Sequence, residues 1–531
     1  MIKNMKKNKK TYIVIGSGPS GVSCATALIK KKVKVIMIDT GYKLEKDIKS
    51  NVTKLYNLKP SDLIKSKIKS KDKEYHKGIP LKKIFGSNFI YKIPKPFKYK
   101  KNINIGLKPS FAMGGFSNIW GAAIMPYNKN DIDDWPISIK KLQKYYKEVD
   151  KIFDISGQKD NLSNSFPLFK NKLINLKFNK QGEDIYNFLK KNEKILKKKG
   201  FLFGKSRLAF NKSPYSHPDG CIYCGMCLTG CPKKIIYSSE STLFELKKNK
   251  NFKYISGFTI TNLKEEKTYV KIFCYNINSK KKFLFNASKV FVGAGVLQTT
   301  SIIANTLKMR KTTFKINDSG LFYLPLIIKK SYPDVQNEYV NTLSQIFFEI
   351  FDKKISKRFI HGQLYLYNSL YKKELAKYLF PIKFFFPKFF NRFVSRFAIL
   401  QVYLHSEDSS KINFFYNHKK PNEINLEEIK NEKTNIIIKK ILKKIKKNTG
   451  IIGLQPINLM SKTLRTGQSY HCGGTLPMNK KKLGKIHTDI LGRPNNLKRI
   501  HCIDSSILPT VPATTITLSV MANAYRIGHE S

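Results

Sequence analysis

The stretch TYIVIGSGPSGVSCATALIKKKVKVIMIDTG, residues 11–41, decides the fold of this chain. The apolar run at residues 12–15 is typical of a buried parallel strand, and glycines follow it at positions 16, 18 and 21. Residues 22–29 are predicted to form a helix, and residues 33–38 the next strand, which ends at Asp39. The segment therefore predicts a strand, a tight turn, a helix and a second strand.

This glycine-rich turn is typical of a dinucleotide site. Glycines let the backbone turn sharply and approach a pyrophosphate, whose charge meets the helix N-terminus. The acid after the second strand is placed to accept hydrogen bonds from a ribose hydroxyl. The predicted contacts are Gly16, Ser17, Gly18, Pro19, Ser20, Gly21 and Asp39. Spacing alone does not separate FAD from NAD, and a turn without any ligand is the alternative.

The charge of the chain is extreme: 99 Lys and Arg residues against 36 Asp and Glu give +63 over 531 residues. Such an excess is expected of proteins that bind nucleic acids or anionic membranes. Only nine of the basic residues are arginine, however, and nucleic-acid readers favour arginine for bidentate contacts. We interpret the lysines as compositional bias and predict no nucleic-acid partner. The alternative is that the lysines were selected because they bind an acidic surface.

Four of the eight cysteines lie in HPDGCIYCGMCLTGCPKK, residues 217–234, namely Cys221, Cys224, Cys227 and Cys231. Their C-x2-C-x2-C-x3-C-P spacing is the one by which small ferredoxins hold iron–sulfur clusters. Such a compact set suits a metal site better than a disulfide framework, and it indicates a reducing compartment. We predict a [4Fe–4S] or [3Fe–4S] cluster, with a structural zinc or a metal-free cysteine knot as alternatives.

The fourth ligand of such a cluster is not fixed by the sequence. In ferredoxins with two clusters the last cysteine of the run serves the other cluster, and this chain has no second run. Either Cys231 closes the same cluster or it yields to a remote ligand, for which the candidates are Cys274, Cys472 and Cys502. Cys24 is predicted to pack in the first helix as a small apolar group.

The C-terminal segments YHCGGTLPM (470–478) and LGRPNNLKRIHCIDSSILPTVPATTITLSVMANAYRIG (491–528) carry a more specific pattern. A histidine precedes G-T-x-x-M, then come G-x-x-N-L, D-x-S-x-x-P and a helix rich in small residues, predicted from about residue 515 to 527. This pattern resembles the closing segment of the glucose–methanol–choline (GMC) oxidoreductases, which oxidise alcohols with FAD. Residues 114–138 resemble that family's GGxSxxW loop against the flavin, and residues 289–303 resemble its strand and turn close to FAD.

The resemblance implies further FAD contacts. In the GGxSxxW-like loop they are Gly114, Gly115, Ser117, Asn118 and Trp120, and elsewhere they are Ile260, Ala294, Asp504 and Ser505. The backbone near Ile260 is expected to face the adenine.

The resemblance also implies a hydride transfer from an alcohol to flavin, with His471 as the base, since His471 matches the family's catalytic histidine. Imidazole suits that role because its pKa lies near neutrality. Family members usually carry a second His or Asn about ten residues after D-x-S, where this chain has Thr515 or Thr514. A threonine hydroxyl can bond a substrate oxygen, and capping of the last helix by these threonines is the alternative.

An iron–sulfur cluster would pass electrons singly to an external acceptor, so we predict a dehydrogenase acting on a small-molecule alcohol. One alternative is an oxygen-reducing alcohol oxidase with a structural cysteine knot. The other is a non-catalytic basic flavoprotein or a membrane- or nucleic-acid-binding module. The substrate class is not indicated by any motif.

The predicted fold class is α/β, with a discontinuous Rossmann-like FAD-binding domain and a substrate domain built on an antiparallel sheet that roofs the flavin. The FAD-binding parts are residues 1–150, 225–310 and 455–531, and the substrate parts are 151–224 and 311–454. Residues 397–408 and 411–417 are predicted to pair as a hairpin of the substrate sheet.

Two segments bear on location. The basic start, residues 1–10, precedes nineteen uncharged residues and resembles a signal peptide, but glycines and Pro19 interrupt the apolar run. The aromatic and basic segment YLFPIKFFFPKFFNRFVSRF, 378–397, is either a lid or interfacial membrane anchor or a buried connection. We predict a cytoplasmic protein without a transmembrane helix, peripheral to the inner face of the membrane if the segment is an anchor.

Overall fold

The computed structural model describes residues 11–65, 75–76, 79–100, 102–217, 220–481 and 484–531. The basic stretch 1–10, which raised the signal-peptide interpretation, lies outside the described residues. Among the residues that are described, none of the helices has both the length and the apolar character needed to cross a bilayer.

The described part of the chain is mixed α/β. Its helices α1–α14 are Pro19–Lys30, Lys46–Asn57, Pro60–Lys65, Ile139–Val149, Lys180–Lys191, Glu193–Lys198, Ser239–Lys247, Val296–Thr306, Ser369–Tyr378, Phe380–Phe385, Pro387–Val394, Glu432–Lys447, Thr449–Ile452 and Ile516–Glu530. Its strands β1–β24 are Thr11–Ile15, Lys34–Ile38, Tyr75–His76, Ile79–Pro80, Lys98–Tyr99, Asp154–Ser156, Phe201–Lys205, Leu208–Phe210, Phe252–Ile255, Phe258–Glu265, Val270–Asn276, Lys282–Ala287, Lys289–Val292, Lys311–Asp318, Leu321–Ile328, Ile346–Ile350, Ile360–Tyr365, Phe397–Tyr403, Lys411–Asn417, Glu423–Ile429, Leu454–Pro456, Lys462–Thr463, Cys472–Gly473 and Ile500–Cys502.

A parallel five-stranded sheet has the order β24-β13-β1-β2-β9. Its strands are nearly continuous apolar runs because helices cover both faces of such a sheet. Helix α1 connects β1 to β2, as the opening segment predicts, although it begins at Pro19, three residues earlier than expected. Proline is favoured at the first helical position because an N–H at that position would have no acceptor within the helix, so its absence costs no hydrogen bond.

The two ends of the chain meet beside this sheet. The last helix, α14, packs along α1, and Ser23 Oγ donates a hydrogen bond of 2.7 Å to Met521 O. The approach is close because Gly528 lies over Cys24, which is fully buried in the main apolar core. The prediction that Cys24 packs as a small apolar side chain is confirmed.

Antiparallel sheets form the other layer. One has the order β21-β15-β18-β17-β16-β7, with β22 also paired to β15, and a second apolar core surrounds it. Another, antiparallel except for the parallel β20–β5 pair, has the order β23-β14-β19-β20-β5. Strands β10, β11 and β12 form a separate antiparallel sheet. The fold class predicted from the sequence, a Rossmann-like sheet joined to a domain on an antiparallel sheet, is confirmed. The domain boundaries stay a prediction.

The predicted hairpin of residues 397–408 and 411–417 is wrong. Strand β18 pairs with β15 and β17, whereas β19 pairs with β14 and β20 in the other sheet. Between them the backbone is captured by other partners: Leu404 N donates to Gly320 O and Ser406 N to Val511 O. The chain therefore crosses from one sheet to the next where a tight turn was expected.

The aromatic segment 378–397 is buried only in part. Pro381 and Pro387 each lie in the first turn of a short helix, α10 and α11. Five phenylalanines of the segment are exposed, at positions 380, 384, 385, 386 and 389. The burial alternative is wrong for these side chains.

Candidate functional site

A cavity of about 780 Å³ lies between the parallel sheet and one face of the antiparallel sheet around β15, β17 and β18. Fourteen of the eighteen predicted cofactor and catalytic residues line it: Gly16, Ser17, Gly18, Pro19, Ser20, Asp39, Gly115, Ser117, Trp120, Ile260, Ala294, His471, Ser505 and Thr515. Four lie behind the wall: Gly21, Gly114, Asn118 and Asp504.

One end of the cavity is formed at the carboxyl ends of β1 and β2. These strands are in register, with Ile15 opposite Ile38, so the residues that follow them, Gly16 and Asp39, become neighbours. Gly16 has a φ of +94°, and a Cβ there would lie 2.4 Å from Gly293 O. Helix α1 starts two residues after Ser17, with its N-terminal N–H groups toward the cavity end. This geometry suits a pyrophosphate.

Asp39 is buried at this end. Burial raises its pKa to about 6, while hydrogen bonds from Ser17 and Tyr254 oppose that rise. Ser17 Oγ in turn accepts a hydrogen bond of 3.0 Å from Gly114 N. A ribose hydroxyl that donates to Asp39 would favour its carboxylate, so the side chain is suited to the predicted contact.

The backbone of Ile260 borders the same end. Strand β10 pairs with β11 up to Ile260, opposite Cys274, and the register then shifts by a bulge before Asn262. Bulges re-aim the backbone at the edge of a sheet. The irregularity therefore lies where the adenine contact was predicted.

The loop after Met113 is held from behind. Asn118 Nδ2 donates to Met113 O at 2.9 Å, and Trp120 Nε1 donates to Tyr237 O at 2.7 Å. Ser117 Oγ accepts from Ser239 N at 3.0 Å. Asn118 thus holds the loop but does not line the cavity. Ser117 and Trp120 hold the loop and also line the cavity.

Asp504 joins two of the predicted segments. Its Oδ2 accepts hydrogen bonds from Gly295 N at 2.8 Å and from Thr299 Oγ1 at 2.5 Å, and its Oδ1 accepts from Ser506 N. Gly474 N also donates to Ser505 O at 3.0 Å. The segments around residues 294, 471 and 504 therefore come together at the cavity wall.

His471 also lines the cavity. Its ring stacks on Tyr403, with centroids 4.9 Å apart. Nδ1 is enclosed and lacks a hydrogen-bond partner, which leaves Nε2 as the ring nitrogen available to a ligand. Although the side chain borders the cavity, low-polarity surroundings lower the pKa of His471 to about 3, and nearby His361 adds to that effect. The imidazole is therefore neutral at physiological pH.

Thr515 begins the last helix but does not cap it. It occupies the N-cap position, yet its side chain makes no capping hydrogen bond, and its Oγ1 is unpaired. Thr514 Oγ1 is unpaired as well, but Thr515 is the one that lines the cavity. The capping alternative is wrong for the Thr515 side chain, whose hydroxyl is enclosed and unpaired in the cavity wall.

The sequence did not identify the residues that the antiparallel sheet contributes. Seven residues of β15, β17 and β18 line the cavity, two of them aliphatic (Leu321 and Ile399) and five with a polar group: Tyr323, Gln363, Tyr365, Gln401 and Tyr403. In each of β17 and β18 a Gln and a Tyr stand two positions apart, and each Tyr hydroxyl donates to the Gln Oε1, at 3.2 Å and 3.1 Å. The repeated Gln-x-Tyr pattern with a period of two was the available signal.

Lys82 is a further missed residue. It lines the cavity, and its Nζ donates a hydrogen bond of 2.9 Å to Trp120 O. Burial lowers the pKa of Lys82 to about 8.

The four clustered cysteines are free thiols beside a third apolar cluster. Burial and the neighbouring thiols raise the pKa values of Cys221 and Cys231 to about 12. Over the described ranges, no three His, Cys, Asp or Glu side chains are arranged to hold a metal ion. The remote candidates Cys274, Cys472 and Cys502 are buried in the main core, which is a different cluster.

The residues of the cavity fit a dinucleotide such as FAD. A glycine turn stands before a helix N-terminus with a buried carboxylate beside it, and an imidazole and a threonine side chain line the same cavity. The cavity volume is within the range of cofactor sites.

No family model matches the chain, and no curated protein matches it in sequence. Among solved structures, pyridoxine 4-oxidase from Mesorbium loti superposes with a TM-score of 0.58 at 11% identity, covering 98% of this chain and 99% of that one. A mutated formate oxidase of Aspergillus oryzae RIB40, solved for the effect on FAD modification, gives a TM-score of 0.59 at 12% identity, covering 98% and 97%. This chain therefore shares the fold of these two oxidases over nearly its whole length.

Proposed function

We propose that the protein is an FAD-dependent oxidoreductase of the GMC type, which oxidises the CH–OH group of a small-molecule alcohol. The observation that carries the proposal is that His471 and Thr515 line one cavity with the glycine turn and Asp39. The fold shared with two oxidases, one of them described with FAD, supports it.

The residues of the chain would act as follows. Bound FAD supplies the acceptor for a hydride. The neutral imidazole of His471 accepts the hydroxyl proton at Nε2 while Tyr403 holds the ring by stacking. The Thr515 hydroxyl donates to the substrate oxygen and orients it. The aromatic and aliphatic wall of the antiparallel sheet excludes water from the reacting atoms.

A screen of alcohols tests the proposed reaction. We expect at least one CH–OH donor to bleach the flavin absorbance under anaerobic conditions, because the site has a base and an oriented hydroxyl. Oxygen consumption with that donor would then identify an oxidase, and its absence a dehydrogenase. If the purified chain takes up no FAD, or no alcohol class bleaches the bound flavin, the proposed function is wrong.

The fate of the electrons is a separate proposal. The cysteine spacing supports an iron–sulfur cluster that relays electrons to an external acceptor. Burial raises the pKa values of Cys221, Cys224 and Cys231, and electrostatic repulsion from neighbouring thiols adds to that rise. The side-chain geometry does not by itself form a metal site. An oxidase with a metal-free cysteine knot is the competing proposal.

We expect an anaerobic preparation to contain iron and labile sulfide near stoichiometry with FAD. Replacing Cys221 and Cys224 together by serine should remove the iron, since a cluster needs thiolate ligands. The matched control is Cys274→Ser, because that thiol donates to Phe283 O and a hydroxyl can do the same. Zinc in place of iron, or a metal-free protein, would refute the relay.

A further inference from the structure

The surface of α10 and α11 carries five exposed phenylalanines, which we call the aromatic patch. Their exposed fractions lie between 59% and 70%, for Phe380, Phe384, Phe385, Phe386 and Phe389. Single exposed apolar residues are ordinary on soluble proteins, but large contiguous groups mark interaction sites. This cluster of large side chains within ten residues therefore calls for a partner.

The patch is displayed on a fixed base. Phe390 and Val394 of α11 are buried in the core of the antiparallel sheet, together with Leu375 of α9. Leu379 and Ile382 are partly buried against the same core. The segment thus has an inner apolar face that packs in the core and an outer apolar face that is exposed to solvent.

The charges around the patch are nearly all positive. Between positions 371 and 396 the chain has one acidic residue, Glu374, and seven basic ones: Lys372, Lys373, Lys377, Lys383, Lys388, Arg392 and Arg396. Lys383, Lys388 and Arg392 are exposed between and beside the phenylalanines. Aromatic side chains at headgroup depth with Lys and Arg at phosphates form the pattern of interfacial helices.

We propose that the aromatic patch docks the protein on an anionic lipid bilayer. Charge complementarity favours lipid over a second copy of this chain, since two copies face to face would oppose like charges. The short helices would lie in the interface with their phenylalanines among the headgroups, as monotopic anchors do.

Docking by this patch would bring the cavity mouth to the membrane. Helix α9 leads into the patch, and two of its residues, Tyr371 and Lys373, line the cavity. Because Lys373 is exposed and also lines the cavity, α9 borders the entrance. This step rests on the proposed function: the substrate would be an alcohol with an apolar chain that partitions into the bilayer and enters beside α9.

Vesicle co-sedimentation tests the docking without any flavin chemistry. We expect the full chain to bind phosphatidylcholine vesicles containing phosphatidylglycerol, and to bind pure phosphatidylcholine vesicles at least tenfold more weakly. The combined change Lys383→Gln, Lys388→Gln and Arg392→Gln should weaken binding on the order of 100-fold. Replacing Phe384, Phe385 and Phe386 by serine should weaken it at least tenfold on both kinds of vesicle.

The matched control removes three exposed lysines of α12, through Lys439→Gln, Lys443→Gln and Lys446→Gln, with the same change in net charge. If this control loses as much vesicle binding as the change in the patch, the binding is due to non-specific charge and the proposal is wrong. Undiminished vesicle binding by the serine variant would also refute docking through the aromatic patch. A third outcome would also overturn the proposal: the wild type binds no vesicles and sediments as a dimer, whereas the serine variant sediments as a monomer. The patch would then be an interface between two copies of the chain.

The entry route has its own readout. With a membrane-borne alcohol the serine variant should turn over at least tenfold more slowly than the wild type, and with a short water-soluble alcohol at the same rate. Equal loss on both donors would refute entry from the bilayer. Failure of every alcohol would refute the proposed function and leave the vesicle result standing.

Discussion

Replacing His471 by alanine is expected to slow anaerobic reduction of the bound flavin roughly 10²- to 10⁴-fold while FAD stays bound. The reason is that His471 lines the cavity with its Nδ1 enclosed, so that Nε2 is the proposed acceptor of the substrate proton. The glycine turn and Asp39, which would hold the pyrophosphate and the ribose, do not involve the imidazole. Stopped-flow absorbance of the reduction and fluorescence titration of FAD separate the two effects.

Two further variants make this result specific. His471→Gln keeps much of the volume and the hydrogen-bonding capacity but not the basicity, so it should be slow as well. His418→Ala removes an exposed histidine in the turn after β19 and should leave the rate unchanged. Reduction of the alanine variant at the wild-type rate would exclude His471 as the base.

The lowered pKa of His471 bears on its proposed role as the base. A base whose pKa is lowered to about 3 is unprotonated over the whole physiological range, so no proton has to leave before substrate binds. The same burial makes it a weak base. It depends on partners that stabilise the protonated ring during the reaction, and Tyr403 offers a ring face for that purpose.

Local signals in the sequence were sufficient for the first two strands of the parallel sheet and the helix between them. The run Thr11–Ile15, the glycine turn and Asp39 are neighbours in sequence and stay neighbours in space. The approach of residues 471 and 504 was predicted only through a resemblance, because their contact depends on hydrogen bonds between distant segments.

The antiparallel sheet shows what the sequence left open. Alternation of apolar residues identified β18 and β19 as strands, but it carries no information on which sheet each strand joins. Likewise, Gln and Tyr at alternate positions of β17 and β18 are as typical of a solvent face as of a cavity wall. Only the packing of one sheet over the other makes that face a binding site.

Glycine substitutions in the first turn should separate the fold from cofactor binding. Gly21 lies in the first turn of α1, and a Cβ there would be 1.9 Å from Gly16 O. In an exposed helix this change would gain about 0.5–1 kcal/mol. Here the contact is with backbone that cannot move aside, so Gly21→Ala should destabilise the protein by about 1–3 kcal/mol and abolish FAD uptake.

Gly18 provides the matched comparison, since an added Cβ there meets no atom within 4 Å and φ is −65°. Gly18→Ala should therefore unfold at the wild-type temperature, while its methyl group stands where a pyrophosphate would approach the backbone. We expect FAD affinity to fall at least tenfold in this variant, measured by fluorescence titration beside thermal unfolding of the apo-protein. An alanine at position 18 that bound FAD as tightly as wild type would show that the space above this turn is not the cofactor site, because nothing else in the fold would have been disturbed by the change.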